Sequence, residues 1–370
     1  MGKESIYTVL LGSLTAFVVV LFTMPSLIKV ARMKHLVDEP SEERKLHSRS
    51  IPTIGGIIIF AAIIFSYSIW FPLQGPFGPY TGSGDCMGAC GTYKLFKFMI
   101  AAMVLLFFLG VKDDIIGFSP VKKLVGHVIV GYILVVMGDV RIRDMHGIFG
   151  VYALPNEISI ALSFFTYVVM VNAFNLVDGV DGLAGGIGLI AALTYGCWLY
   201  LAGDLALAML AFVLAGALLG FLVFNFHPAR IFMGDSGSLI IGAILSVLAM
   251  RVVDHDTSHL PYWLRSVPTP LFAMATVAYP LVDTLRVFIV RTARGVSPFS
   301  ADRNHIHHRL MALGFGHRGT AGMLYLYSAI MIALCLVTHE VQPNQGLLVL
   351  GVAAVLLAML PFAIPLRKTA

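Results

Sequence analysis

Aspartates in three short segments are the residues whose type and spacing most directly indicate chemistry. Asp113 and Asp114 are adjacent, Asp178 and Asp181 are three positions apart, and Asp235 lies in a segment of glycines and serines. Two adjacent carboxylates repel each other unless a cation compensates them. Mg²⁺ is the usual cation, held by a few carboxylates together with substrate phosphate oxygens. A solvated loop pair is the alternative for Asp113 and Asp114, but the other polar segments favour the cation site.

A polar residue recurs at every third position from Asn172 through Asn175 and Asp178 to Asp181. Residues three apart share a face of a helix, so the run predicts a polar stripe that enters from the membrane boundary. Polar groups there are costly unless they line a cavity or meet a ligand. Capping of a helix that begins near Leu183 is the alternative, although a cap needs one of these residues rather than four.

The segment Gly-Asp-Ser-Gly-Ser at 234–238 resembles a phosphate-binding turn that opens a helix. Glycines let backbone N–H groups approach an anion, and the N-terminus of a helix favours negative charge. Because the segment also contains Asp235, it favours a metal ligand that lies beside a phosphate.

Histidines and arginines cluster near the end of the chain, where His305, His307 and His308 precede Arg309. Charged donors of this kind form strong hydrogen bonds to phosphate, so the cluster indicates anion recognition. Zinc binding and a purely structural role are the alternatives. A closed zinc site needs four ligands, and no cysteine or fourth ligand is suitably spaced.

The elements that must position these residues are membrane-spanning helices. The chain has 370 residues, of which 58% are hydrophobic and only 12% charged, and its mean hydropathy is +0.87. Soluble domains have about 25% charged residues. The apolar residues form blocks of roughly 18–24, the length that crosses a bilayer as a helix. We therefore expect an all-α, polytopic transmembrane bundle.

About eleven spans are predicted from these blocks. They lie at about 6–30, 53–72, 93–111, 124–138, 159–174, 183–202, 206–224, 238–252, 268–290, 320–338 and 346–364.

The polar segments all fall on one side of the predicted bundle. The loops on that side have more than twice as many lysines and arginines as the loops on the other side, which makes that side cytoplasmic by the positive-inside rule. The N-terminus is then periplasmic and the C-terminus cytoplasmic. Residues 1–370 are predicted to form one domain, with catalytic cytoplasmic loops at 31–52, 112–123, 172–182, 225–238 and 291–319.

Several other classes of protein fit less well. The net charge of +5 could suggest nucleic acid, but the basic residues flank the spans and form no continuous patch with aromatics. A transporter would place ionisable groups near the bilayer midplane and show two matching halves. A scaffold gives no reason for polar residues on one side. Several carboxylates for Mg²⁺ beside several cations for phosphate indicate phosphoryl transfer from a soluble donor to a membrane-resident acceptor.

Five ordered segments resemble one family closely, the polyprenyl-phosphate N-acetylhexosamine-1-phosphate transferases, which includes the WecA, TagO and MraY enzymes. They are KLHSRSIPTIGG (45–56), VKDDIIGFSPVKKLVGH (111–127), NAFNLVDGVDGLAGG (172–186), FNFHPARIFMGDSGS (224–238) and PLVDTLRV with GVSPFSADRNHIHHRL (280–310). The His-Ile-His-His form resembles the WecA/TagO branch. The MraY branch would show three consecutive histidines, which argues against a muramoyl-pentapeptide substrate.

This resemblance implies an activity and a location. A UDP-N-acetylhexosamine, with UDP-N-acetylglucosamine as the first candidate, would give its sugar-1-phosphate to undecaprenyl phosphate and release UMP. The product, undecaprenyl-diphospho-sugar, begins a cell-envelope polysaccharide. The enzyme would be a homodimer in the bacterial cytoplasmic membrane, with its site on the cytoplasmic face and Mg²⁺, or Mn²⁺ in its place, as cofactor.

The resemblance also implies roles for single residues. Asp235 is the leading Mg²⁺ ligand and Asp114 shares the metal, while Asp113 is the candidate base for the lipid phosphate. A phosphate monoester is already mostly ionised near pH 7, so Asp113 is expected to deprotonate it, to orient it, or to share the metal with Asp114. Asp178 and Asp181 are implied to act in catalysis by shaping the nucleotide and metal pocket.

Nine residues are implied to bind substrate: Lys45, His47, Lys123, Asn172, Asn175, His305, His307, His308 and Arg309. The histidines of the last segment and Arg309 would hold the diphosphate. Lys45, His47 and Lys123 would hold the lipid or sugar phosphates.

Overall fold

The computed structural model describes residues 3–34, 37–38, 51–72, 86–296 and 304–365. These residues are almost entirely helical. The helices are α1 (Lys3–Met33), α2 (Gly56–Ile69), α3 (Cys86–Ile116), α4 (Pro120–Gly131), α5 (Asn156–Val177), α6 (Leu183–Ala202), α7 (Leu205–Asn225), α8 (Asp235–Asp254), α9 (Tyr262–Arg265), α10 (Thr269–Thr276), α11 (Ala278–Ala293), α12 (Ile306–Ala312), α13 (Gly316–Val337) and α14 (Pro343–Ala363). Lys45 and His47 lie outside the described residues.

Eight of these helices are long and apolar enough to cross a membrane. A ninth candidate is the pair α10 and α11, which is bent by 76° at Val277, where the sequence predicts one continuous span. Two further predicted spans correspond to the short apolar helix α2 and to α4, which continues as a π-helix over Tyr132–Met137. A polytopic helical membrane protein is therefore confirmed, whereas the number eleven and the orientation of the termini stay predictions.

The bundle is built around α8. In the apolar stretch of α8 that could cross a membrane, 94% of the residues are buried, compared with 78% in α7 and 22% in α1. A helix that is apolar on every side lies in a protein core or in a membrane, and the burial of α8 places it in the core of the bundle. The N-terminal residue of α8 is Asp235, so the sequence places this carboxylate at the end of the most enclosed helix.

Glycines let three other segments approach the start of α8. A Cβ atom at Gly56 of α2 would lie 2.1 Å from the backbone nitrogen of Gly237, and one at Gly110 of α3 would lie 2.4 Å from the Cα atom of Ser236. Gly234 has a φ of +69°, and a Cβ there would lie 2.0 Å from the carbonyl oxygen of Thr53. These contacts bring the ends of α2, α3 and α8 together.

A short antiparallel pairing fixes the chain before α2. Strand β1 (Val37–Asp38) pairs with β2 (Ile51–Pro52). The carbonyl oxygen of Pro52 accepts a hydrogen bond from the Phe232 N–H at 2.7 Å, and the Gly56 N–H donates to Met233 at 2.8 Å. The backbone leading into α2 therefore runs beside the segment that leads into Asp235.

Candidate active site

Lys123 lies between two aspartates that different helices supply. Its Nζ is 3.0 Å from Oδ2 of Asp113 and also contacts a carboxylate oxygen of Asp235. A third contact, at 3.5 Å, reaches Oδ1 of Asn175. The sequence predicts all four as site residues, and the structure brings them together from α3, α4, α5 and α8.

The turn between α3 and α4 places Asp113 and Lys123 opposite each other. Gly117, with a φ of +79°, follows α3, and Pro120 begins α4. The Phe118 N–H donates to Oδ1 of Asp113 at 2.6 Å. Proline is favoured at the first position of a helix. The second oxygen of Asp113 is thereby directed to Lys123, which lies in the first turn of α4.

Asn175 extends this group towards α8. Its Nδ2 donates to Oδ1 of Asp235 at 2.8 Å and to Oγ of Ser238 at 3.0 Å. Asn175 lies near the C-terminal end of α5, and Ser238 lies one turn into α8. The amide therefore fixes the rotamer of Asp235 and leaves its other oxygen to the cation.

Asp114 binds the backbone at the start of α8. Its Oδ1 accepts a hydrogen bond from the N–H of Asp235 at 2.7 Å, and its Oδ2 accepts one from the N–H of Ser236 at 3.0 Å. Gly234 leaves the necessary space, since a Cβ atom there would lie 2.7 Å from Oδ2 of Asp114. Asp114 thus caps a helix from another helix, as a negative charge at a helix N-terminus does.

Asp178 lies beside this group but outside the helix that was predicted for it. The helix α5 ends at Val177, and Gly179 turns back with its N–H donating to the carbonyl of Val177. The predicted helical stripe, with a polar residue at every third position, is therefore wrong for Asp178 and Asp181. Loss of solvation, together with the charges of Asp235 and Asp114, raises the pKa of Asp178 to about 7.

The balance of charge in this group fits a metal ion. Four carboxylates, those of Asp113, Asp114, Asp178 and Asp235, interact with one another, and Lys123 is the cation that contacts two of them. Burial would lower the pKa of Lys123, but Asp235 and Asp113 raise it, so the lysine stays charged. Among the described residues, one cation in contact with these carboxylates leaves a net negative charge, and hard oxygen ligands of this kind suit Mg²⁺. We name this group, with Asn175, the carboxylate cluster.

Asp181 belongs to a different group. Its Oδ2 is 2.7 Å from Nδ1 of His227 and accepts from the N–H of Ala229 at 3.1 Å, and its Oδ1 is 3.3 Å from Nδ1 of His317. The two imidazole rings are stacked with centroids 4.8 Å apart. Burial would raise the pKa of Asp181, but the hydrogen bonds from the two histidines lower it to about 2. This group joins the loops that follow α5 and α7 to the first turn of α13.

The histidines of the last segment surround a buried aspartate. Oδ2 of Asp283, which is 1% exposed, lies 2.9 Å from Nδ1 of His305. The ring of His307 stacks on His305 with centroids 5.3 Å apart, and the tilted ring of His308 lies 4.3 Å from it. Burial and the neighbouring His308 hold the pKa of His307 well below its usual range. A neutral His307 can donate or accept a hydrogen bond, but it brings no charge to a phosphate.

Two predicted substrate-binding residues direct their hydrogen bonds elsewhere. Arg309 donates through Nε to the carbonyl of Pro361 at 3.1 Å and through Nη2 to that of Ile364 at 2.5 Å. It therefore satisfies carbonyl groups at the C-terminal end of α14. The side chain of Asn172 donates to the carbonyl of Val168 at 2.7 Å, within its own helix. Their substrate-binding roles stay predictions.

Sequence reasoning assigned no role to Asp283 or His317. Asp283 had one usable signal, because an ionisable residue in an apolar span needs a partner or a function. His317 had none, since it lies alone at the start of α13 and its partner Asp181 is 136 residues away.

Comparisons with known proteins show the family of the chain. Residues 96–253 match glycosyl transferase family 4. A decaprenyl-phosphate N-acetylglucosaminephosphotransferase of Mycolicibacterium smegmatis is 35% identical over 344 residues, which cover 88% of this chain and 81% of the relative. The corresponding protein of Mycobacterium leprae is 31% identical over 97% of this chain and 90% of its own. An undecaprenyl-phosphate alpha-N-acetylglucosaminyl 1-phosphate transferase of Escherichia coli O157:H7 is 29% identical over 89% of this chain and 84% of its own.

Proposed function

Because the chain belongs to glycosyl transferase family 4, together with the polyprenyl-phosphate N-acetylglucosamine phosphotransferases, we propose that it transfers N-acetylglucosamine-1-phosphate to undecaprenyl phosphate. The donor is UDP-N-acetylglucosamine, and the products are UMP and undecaprenyl-diphospho-N-acetylglucosamine. This is the first lipid-linked step of a cell-envelope polysaccharide. The relatives are named for both decaprenyl and undecaprenyl phosphate, so the acceptor class is a long polyprenyl phosphate.

The reaction exchanges one phosphorus–oxygen bond for another. An oxygen of the lipid phosphate attacks the phosphorus that bears the sugar, and the bond from that phosphorus to the bridging oxygen breaks. The bridging oxygen leaves with the electron pair as part of UMP. Because the lipid phosphate is mostly ionised near pH 7, the reaction needs little proton removal, and Asp113 acts mainly by orienting the lysine and the lipid phosphate.

Mg²⁺ is the proposed cofactor, and the carboxylate cluster is the proposed site. Asp235 and Asp113 would hold the ion with their oxygens that now contact Lys123, and Asp178 would add charge from the adjacent loop. When bound, the ion offsets the charge that develops on the diphosphate and on UMP. Asp114 acts differently, since both of its oxygens hold the backbone that orients Asp235.

One observation carries this proposal: two aspartates from different helices converge on a single ammonium group at one end of the bundle. Two carboxylates that can share one cation can also share a metal ion. The ammonium group, once released, can bind a phosphate oxygen of the substrates.

The protein is a multi-pass membrane protein, and the proposed site lies at the ends of its helices. We place it in the bacterial cytoplasmic membrane, with the site on the cytoplasmic side, where UDP-sugars are made. A homodimer is the proposed assembly. Transport is not supported, because the relatives are named as transferases.

The proposal is tested with purified protein, undecaprenyl phosphate and a series of UDP-sugars, with UMP and lipid product measured together. We expect UMP and the diphospho-lipid in equal amounts with UDP-N-acetylglucosamine, and none after chelation of Mg²⁺. Omitting the lipid is the control that distinguishes transfer from hydrolysis. If no UDP-N-acetylhexosamine yields UMP with undecaprenyl phosphate or with decaprenyl phosphate, the proposed function is wrong.

A further inference from the structure

Asp283 is an acidic residue within a membrane-embedded helix pair. It lies in α11 and is 1% exposed. An ionisable group in such a place is costly unless a partner or a function compensates it. Nothing in the proposed reaction has used this residue so far.

Both oxygens of Asp283 contact the segment that begins α12. Oδ2 is 2.9 Å from Nδ1 of His305, and Oδ1 accepts a hydrogen bond from the N–H of Ile306 at 2.9 Å. An ionised carboxylate only accepts hydrogen bonds, so Nδ1 of His305 must bear a proton. The carboxylate thereby fixes the ring orientation and leaves Nε2 as the nitrogen that faces a ligand.

The same face of α11 holds the next histidine. Tyr279 lies one turn before Asp283, and its hydroxyl group is 3.4 Å from Nδ1 of His307. The Nε2 atom of His307 is directed at Gly179, where a Cβ atom would lie 2.9 Å away. Since Gly179 follows Asp178, His307 lies against the loop that supplies a residue of the carboxylate cluster, and the ring of His305 stacks on His307.

A metal ion is the competing interpretation of this group. Ligand atoms of Asp283, His305 and His307 lie within 4.8 Å of one another, which could suit zinc. The distances favour hydrogen bonds instead, because 2.9 Å is an ordinary hydrogen-bond length. The Oδ1 atom of Asp283 already has a backbone donor, and Nδ1 of His307 has the Tyr279 hydroxyl as its neighbour.

We propose that Asp283 is a positioning residue: it orients His305, which binds the diphosphate of the nucleotide-sugar donor. This inference rests on the proposed function. For a histidine that binds a metal ion, removing the carboxylate that fixes its tautomer typically costs about 10- to 100-fold in affinity or activity, and we expect the lower end of that range for a histidine that binds a diphosphate. Asp283 itself does not contact the substrate.

The test is a double-mutant cycle with Asp283→Asn and His305→Gln, measured as UMP release at varied concentrations of each substrate. Asp283→Asn should raise the KM for UDP-N-acetylglucosamine by about 10-fold and leave the KM for undecaprenyl phosphate within about twofold. Asp283→Glu, which keeps the charge, should recover part of the loss. In the His305→Gln background, Asp283→Asn should cause no further loss, because its effect passes through that ring.

Three outcomes would overturn the proposal. One is an equal loss of activity from Asp283→Asn in both backgrounds, which would indicate a purely structural carboxylate. Another is a rise in both KM values together. The third is one zinc ion per chain in the purified protein that is lost in Asp283→Asn. If Asp283→Asn does not fold, the cycle with His305→Gln is measured with Asp283→Glu in its place. Wild-type protein that releases no UMP would instead refute the proposed function.

Discussion

The two ends of α8 each place an aspartate among neighbouring charges, and they differ in how those charges balance. At the C-terminal end, Asp254 contacts Arg143, which also lies 2.7 Å from Asp139, and Asp139 is 2.8 Å from Arg141. Two carboxylates therefore meet two guanidinium groups, and the charge of Arg251, in the last turn of α8, also acts on Asp254. At the N-terminal end, Asp235 belongs to a cluster of four carboxylates, two of which contact Lys123. The carboxylates at the first end are neutralised, whereas the second end, counted over the residues that the structure describes, retains negative charge.

The chemistry of the cations sharpens this difference. Arginine forms fixed, planar hydrogen bonds to carboxylates and keeps its charge, whereas lysine is a compact charge on a flexible stem that can change partners. Arginines at the neutralised end suit a permanent fastening of the segment that follows the π-helix to α8. A lysine at the other end suits a site where a metal ion and phosphates replace one set of contacts by another.

The largest expected effect separates the two ends directly. Asp235→Asn should lower kcat by about 10²- to 10³-fold, as removal of a group that stabilises transition-state charge does. Asp254→Asn is the matched control, since it makes the same change at the other end of a 20-residue helix, about 28 Å away. Its kcat should stay within about threefold of wild type. Equal losses in both variants would show that the two ends are not functionally distinct.

Lys123→Met tests whether the lysine now lies where the metal ion binds. Removing a positive charge that contacts two carboxylates should tighten Mg²⁺ binding by at least about 10-fold, which corresponds to about 1.4 kcal/mol. Turnover should fall, because the cation that meets the phosphates is lost. Titration calorimetry on the substrate-free protein in detergent measures the affinity.

Lys122→Met is the control for Lys123, since it removes an exposed lysine next to it in α4. We expect its Mg²⁺ affinity to equal that of wild type. Weaker binding in Lys123→Met would mean that the lysine supports the metal site instead of competing for it.

Asp181 lies at the catalytic end, but it is paired with basic side chains, as Asp139 and Asp254 are at the other end of α8. It therefore tests whether such pairing gives an aspartate a structural role. Its pKa of about 2 in the folded protein lies below the usual value. A lowered pKa stabilises the fold above the unfolded value of about 3.9, and this contribution disappears as the pH falls towards 2. Asp181→Asn should therefore cost about 2 kcal/mol at pH 7.

The difference in melting temperature between wild type and Asp181→Asn should narrow as the pH is lowered from 5 towards 3. The protein at pH 7 should keep its Mg²⁺ affinity, since Asp181 binds His227 and His317 instead of the carboxylate cluster. A loss of Mg²⁺ binding without loss of stability would return Asp181 to the metal site.

The sequence predicted the membership of the carboxylate cluster well. Asp113, Lys123, Asn175 and Asp235 each lie at or near the end of an apolar block, and blocks of that length must end at the membrane surface. The same reasoning placed Asp114 with them, but it gave no sign that both of its oxygens would cap α8. Hydrogen bonds between helices depend on packing that local periodicity does not record.

The failures have the same cause. The three-residue spacing predicted a helical stripe through Asp178, but α5 ends at Val177, and the contacts that hold the following loop come from residues far along the chain. Asp181 meets His227, 46 residues away, and Arg309 meets Pro361, 52 residues away. Residue type indicated that these side chains needed partners, whereas the choice of partner follows from the tertiary fold.

The smallest expected effect concerns the neutralised end, where Arg143→Gln removes contacts to both Asp139 and Asp254. The side chain of Arg143 is 38% exposed, and ion pairs near the surface contribute about 0–1 kcal/mol. The variant should therefore lower the free energy of unfolding by about 1 kcal/mol or less, seen as a small drop in melting temperature. Its kcat and both KM values should match those of wild type, because the ion pairs at this end only hold α8 to its neighbouring segment.

Arg141→Gln, which keeps the contact between Arg143 and Asp254, should have a still smaller effect on melting. A fall in turnover with unchanged melting would mean that the charges at this end also serve the reaction.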